Sequence, residues 1–186
     1  MKNIRFFILS ASMLFASNVF AQTKYFTRDG NISFFSKAAV EDIEAINRKV
    51  TCVVDPATGQ MEFSMLIRAF EFEKELMKEH FNENYMESEK FPKSSFKGTI
   101  ENASSVKWTV DGTYPVKVIG KMTIHGVTKD ISASGNFTVK GGKIKGKSEF
   151  MVALADYGIK VEKAYTSKIA EKINVTVDVN LEPLTK

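Results

Sequence analysis

The sequence predicts an all-β fold, an antiparallel closed barrel of about eight strands carrying one α-helix over about residues 72–86. Three observations point there. Long stretches alternate apolar and polar residues with period two, the mark of strands with one dry and one wet face. Turn dipeptides at Asp111-Gly112, His125-Gly126 and Gly141-Gly142 separate successive stretches. One run alone, Phe72 to Tyr85, abandons the alternation: Phe72, Leu76 or Met77, Phe81 and Tyr85 recur about every four residues, opposite Glu73, Lys74, Glu75, Lys78 and Glu79.

Taken in order, Tyr25 to Lys37 reads as two short strands broken at the turn pair Asp29-Gly30, with Phe34 and Phe35 on opposite faces. Glu41 to Ile46 fits a helical turn or an extended segment. Arg48 to Val54 and Met61 to Phe70 read as strands joined by the turn-forming loop Asp55 to Gly59. Phe91-Pro92 closes the loop after the helix, and Ser94 to Ile100 resumes the strand pattern. Asn102 to Thr109 is polar around one Trp. Further strands put Val116, Val118, Gly120 and Met122 on one face, then Ile131, Ala133, Gly135 and Phe137, then Ile144, Gly146, Ser148, Phe150 and Val152. Ala153 to Ala170 is irregular, with a bend at Asp156-Tyr157-Gly158, and the last strand runs from about Lys172 to Leu181.

The apolar phase is small in the middle. Gly120, Ala133, Gly135, Gly146 and Ser148 supply little volume, and an eight-stranded barrel is just wide enough to fill itself or to hold one small ligand. The missing bulk predicts a cavity that takes an apolar molecule.

At the start, Lys2 and Arg5 precede the apolar run Phe6 to Phe15 and the small-residue pattern Val19-Phe20-Ala21. This is the pattern of a secretory signal peptide over residues 1–21, too short to span a bilayer. It leaves residues 22–186 as a single domain and predicts a periplasmic or secreted protein. Its removal takes two cations from the formal charge of +4, so the pI of about 9.0 overstates the working basicity. The local cluster Lys140, Lys143, Lys145 and Lys147 lies on the polar phase of a hairpin, without the basic stripe and interleaved aromatics of a nucleic-acid surface. No nucleic-acid partner is expected. Cys52 is the only cysteine, which excludes an intramolecular disulfide. Its phase with Val50 and Val54 predicts a buried, inert thiol.

Two stretches carry a family resemblance. Glu75 to Gly98, a helix followed by an acidic loop, Phe91-Pro92 and a strand, is one. Lys121 to Lys129, with Ile124-His125-Gly126-Val127-Thr128 at its centre, is the other. In this order they resemble the YceI-like family of secreted bacterial proteins. The resemblance implies a lipocalin-like antiparallel barrel closed at one end by the helix, an interior that in relatives holds a long polyisoprenoid, and no catalysis. The chain departs from the commoner pattern at Arg28 to Phe35 and at Lys74 to Glu79.

No nucleophile elbow or phosphate-binding loop is present, and His80 and His125 lack the companions of a metal site. The chain therefore reads as a non-enzymatic binding protein without a cofactor. His125 reads as a turn residue bonding local backbone. Glu79, Glu83, Glu87 and Glu89 read as a solvated face. The expected cavity lining is Phe34, Phe63, Met65, Ile67, Leu76, Phe81, Tyr85, Phe96, Val118, Phe137, Phe150, Val152 and Val177, with His80, Asn84 or Tyr157 at the mouth near the ligand's headgroup. The expected partner is a polyisoprenoid or other long-chain lipid, which the protein carries or sequesters. Transient membrane contact and a dimeric state stay open, and the alternative function is a solid-core structural or protein-interaction module without ligand.

Overall fold

The computed structural model describes residues 23–184; the segment read as a signal peptide lies outside them. The strands are β1 (Tyr25–Lys37), β2 (Asp42–Val54), β3 (Gln60–Leu66), β4 (Phe70–Phe72), β5 (Lys93–Ile100), β6 (Gly112–Ile124), β7 (Val127–Lys140), β8 (Lys143–Ala153) and β9 (Lys172–Pro183). They run in the order β1-β9-β8-β7-β6-β5-β3-β2, and β1 pairs with β2 to close an eight-stranded antiparallel barrel. The short β4 pairs with β2 through Ala45↔Phe72 and Asn47↔Phe70, beyond the end of the β2–β3 ladder.

Several elements differ from the sequence reading. β1 is one strand, not two. Gly30 is buried against β2 and β9, where a Cβ would come within 2.8 Å of Val179 Cγ1 and 3.0 Å of the Val50 carbonyl oxygen. Its role is close backbone approach at irregular pairing, not a turn. The ambiguous 41–46 segment is strand. The helix is shorter than its apolar spacing suggests: Phe72 belongs to β4, α1 covers Glu75–His80, and Phe81–Tyr85 continues as a π-helical turn.

The interior is in two tiers. At one end Val54, Ile100, Val116, Val139, Ile144 and Leu181 pack tightly with Trp108, which is 5% exposed. The Trp108 ring stacks on Tyr25 at 5.8 Å and tilts against Phe137 at 5.0 Å, plugging that end of the barrel. At the other end Phe34, Phe63, Met65, Phe96, Val118, Phe150 and Val177 point inward but are only half-buried, because they face a cavity.

The glycines do not make that cavity. Gly98 and Gly120 face each other across β5 and β6, and a Cβ on Gly120 would overlap the Lys97 carbonyl and the Phe96 ring. A Cβ on Gly135 would lie 2.5 Å from the Lys147 carbonyl oxygen, and on Gly146 3.0 Å from Phe137 Cε1. These residues let strands approach and bend at the barrel's corners. Gly135 and Gly146 border only a small void of about 50 Å³ beside Cys52 and Phe137.

Candidate functional site

Beneath α1 lies a cavity of about 500 Å³, within the range of pockets that hold small molecules. Alternation builds it: Phe63 and Met65 of β3, Phe96 of β5, Val118, Met122 and Ile124 of β6 all point to the same side. Register pairs Phe63 with Phe96 and Val118 with Ala133. β8 adds Phe150 and Val152, β9 adds Val175 and Val177, and Ile67 enters from the turn after β3.

The roof is held by rings. Phe81, on the π-helical turn, lies 5.5 Å from Phe34, 5.5 Å from Phe70 and 5.0 Å from Phe72. Aromatic pairs at these separations prefer such tilted or offset geometry. The π-helical turn sends Phe81 and Tyr85 to the same cavity, and such turns recur at functional sites.

Polar groups gather where the lining reaches solvent. Lys74, Leu76, His80 and Lys168 line the cavity and are exposed, which places its mouth between α1 and the β8–β9 connection. Lys74 Nζ bonds Glu41 Oε1 at 3.0 Å, joining α1 to the β1–β2 connection. Burial, with Tyr165 and Glu162 nearby, holds the Tyr85 phenol above its ordinary pKa. Deeper in, the lining is hydrocarbon and ring apart from a few serines. Ser94 is 3% exposed, in phase with Phe96. Ser148 donates to the Ser134 carbonyl at 2.7 Å, and Ser36 accepts from the Ala170 N–H at 2.9 Å. Such a space accommodates a long apolar chain and leaves charge at the mouth.

Thirteen expected lining residues meet here: Phe34, Phe63, Met65, Ile67, Leu76, His80, Phe81, Tyr85, Phe96, Val118, Phe150, Val152 and Val177. Phe137 does not; it belongs to the packed end, held under Trp108. Tyr157 does not reach the mouth either. It is 3% exposed in a cluster with Leu154 and Ile159, and its carbonyl faces His125 Nδ1 at 3.2 Å. Asn84, considered for the headgroup, is exposed and outside the lining.

The reading missed Ile43, Met122, Ile124, Ile169 and Tyr165, which also line the space. Met122 and Ile124 carried the right alternation. Ile169 and Tyr165 sit in an irregular connection, where no periodicity shows which way a side chain points.

His125 bonds backbone as expected, but its partner is 32 positions away, and its Nε2 also meets the Glu87 carboxylate. Glu87 is thus a structural partner as well as a loop residue. Cys52 is fully buried, and burial pushes its thiol up to about 12.

Among solved structures, a polyisoprenoid binding domain from Saccharophagus degradans matches 87% of this chain and 99% of its own, at 12% identity and a TM-score of 0.76. BcnA of Burkholderia cenocepacia matches 82% of this chain and 96% of its own, at 15% identity and 0.67. A Campylobacter jejuni YceI protein matches 76% of this chain and 85% of its own, at 18% identity and 0.59. Among curated proteins none matches the sequence significantly. These likenesses show the fold, while the profile of the YceI-like domain matches residues 12–181 directly. The chain belongs to the YceI-like family.

Proposed function

We propose that the protein binds a long isoprenoid or acyl chain in the cavity beneath α1 and carries or sequesters it in the periplasm, without catalysing a reaction. The observation that carries this reading is the 500 Å³ cavity lined by Phe, Met, Ile and Val side chains. A packed-solid module would not leave its inward residues half-exposed. Burying roughly 400 Å² of ligand chain is worth on the order of 10 kcal/mol before ordering costs. The likeness to a polyisoprenoid binding domain supports an isoprenoid over other chains. Periplasmic placement rests on the Lys2 to Ala21 pattern. The non-catalytic reading is supported by the two ring nitrogens of His125 being engaged within the structure and by the burial of Cys52.

Native mass spectrometry of gently purified protein tests it with Ala133→Phe. Ala133 is half-buried in the lining and pairs with Val118. A phenyl ring there occupies chain space at an overpacking cost of about 1–3 kcal/mol. Wild type is expected to carry a lipid-sized mass excess, and the folded variant little or none. A wild type that neither carries such a mass nor takes up a prenol from detergent micelles refutes the reading.

A further inference from the structure

Val40, Leu76 and Tyr165 are 66%, 61% and 41% exposed, and they come from three separate segments. The β1–β2 connection supplies Val40, α1 supplies Leu76, and the β8–β9 connection supplies Tyr165. Two bonds draw these segments together: the Val40 N–H donates to the Ser167 carbonyl at 3.0 Å, and Lys74 meets Glu41. Leu76 and Tyr165 also line the cavity, so the apolar tips surround its mouth. A single exposed apolar side chain needs no explanation. Three from separate elements, around the opening of an apolar cavity, form a surface.

Charge distinguishes the two sides of that rim. Lys74 and Lys78 on the α1 side are paired with Glu41 and Glu75, and Glu73 and Glu79 add negative charge there. The segment 160–172 carries Lys160, Lys163, Lys168 and Lys172 against Glu162 and Glu171. None of those four lysines makes an ion pair among the described residues. Positive charge free of a partner therefore lies beside Tyr165.

We infer that this rim docks on the surface of an anionic phospholipid bilayer, with the 160–172 segment leading. Val40, Leu76 and Tyr165 reach into the headgroup–acyl boundary, where an amphipathic ring such as Tyr is well suited. The lysines lie against lipid phosphates. The mouth then faces the bilayer, and a chain passes between membrane and cavity without crossing water. The inference rests on the lipid-binding reading above.

The test is sedimentation with phosphatidylcholine vesicles made with and without phosphatidylglycerol, comparing wild type with a Val40→Asp, Lys163→Glu double variant. Both sites are exposed and outside the cavity lining. Wild type is expected to sediment with the anionic vesicles and to be released by salt. The variant is expected to bind about tenfold or more weakly, while taking up a prenol from detergent micelles as wild type does. Wild type that stays in solution with anionic vesicles, or a variant that sediments equally, overturns the inference. Wild type that sediments but neither carries a lipid-sized mass nor takes up a prenol from micelles refutes the lipid-binding reading and leaves the docking surface standing.

Discussion

His125 Nε2 lies 2.7 Å from Glu87 Oε2, and both residues hold left-handed backbone, at φ 50° and 41°. His125 Nδ1 faces the Tyr157 carbonyl, and the Phe91 ring packs edge-on at 4.6 Å. The ring thus lies between a backbone carbonyl and a carboxylate, one at each nitrogen. The contact ties the β6–β7 hairpin to the loop after α1 and to the turn after β8. Left-handed backbone away from Gly is uncommon and is held by its surroundings.

From this follows the cost of His125→Gln, whose shorter-reaching planar amide cannot meet both partners from one position. Loss of a hydrogen bond to a charged group costs about 1.5–3 kcal/mol. That corresponds to a melting point lower by about 3–12 °C for a domain of this size. A purely local turn role would cost less. Glu87→Gln is expected to fall on the same side with a smaller shift, and lipid occupancy by native mass spectrometry is expected to stay unchanged. Identical melting of His125→Gln and wild type would contradict the assignment.

Gly120→Ala is expected to destabilise by about 1–3 kcal/mol through overpacking, because its Cβ would overlap backbone that cannot swing aside. Gly135→Phe is expected to unfold the barrel instead of plugging it, since the Lys147 carbonyl occupies the Cβ direction. Denaturant titration checks both, and a stable Gly135→Phe protein that has lost its lipid would reverse this account.

Alternation along Tyr114 to Ile124 and Ile144 to Val152 is enough to assign strands and their inward face, because one-sided burial writes itself into a period of two. The same pattern cannot say how full the interior is at each level. Phe137 and Phe150 are both inward aromatics, yet one meets Trp108 and the other meets open space. What separates them is the Trp108 loop, whose polar sequence shows nothing of its fold-back. Small residues were legible as small, but Gly120 and Gly135 serve strand approach, a purpose that only the backbone reveals. Tyr157 looked like a mouth residue because of its bend, and the bend instead buries it.

Cys52 makes a pH-dependent prediction. Burial raises its thiol from 9.0 to about 12. Between those values the unfolded chain has released a proton that the folded protein keeps. The stability contributed by the neutral thiol is complete below pH 9.0 and is lost as pH rises toward about 12, by up to about 1.4 kcal/mol per unit. Cys52→Ala is expected to flatten that part of the stability profile. Iodoacetamide at mildly alkaline pH is expected to label the thiol only after urea unfolding, and rapid labelling of the folded protein would contradict its burial.

The wall has a weak seam between β7 and β8. The β6–β7 ladder extends from Gly112↔Val139 to Ile124↔Val127, whereas β7–β8 pairing stops at Gly135↔Ser148. Beyond it Ile131 and Ala133 of β7 and Phe150 and Val152 of β8 line the cavity with no ladder between them. Hydrogen exchange is expected to be fast at alternate amides of 129–134, those turned from β6, and slow through 135–140. Uniform protection along β7 would show that the seam is closed.

Phe81→Ala bears on how the cavity keeps its contents. The ring meets Phe34, Phe70 and Phe72 at 5.0–5.5 Å, and these contacts join the helical segment to β1 and β4. A fully buried Phe→Ala costs about 3–5 kcal/mol; Phe81 is half-buried, so a loss of about 2 kcal/mol is expected. The barrel's packed end around Trp108 does not touch Phe81 and is expected to keep its near-ultraviolet signal. The segment above the cavity loses its anchor, so a bound prenol is expected to dissociate faster than from wild type, measured by transfer to acceptor vesicles. Unchanged dissociation from a variant with a loosened helix would mean that the chain does not enter or leave beneath α1, and the seam between β7 and β8 would become the route to test.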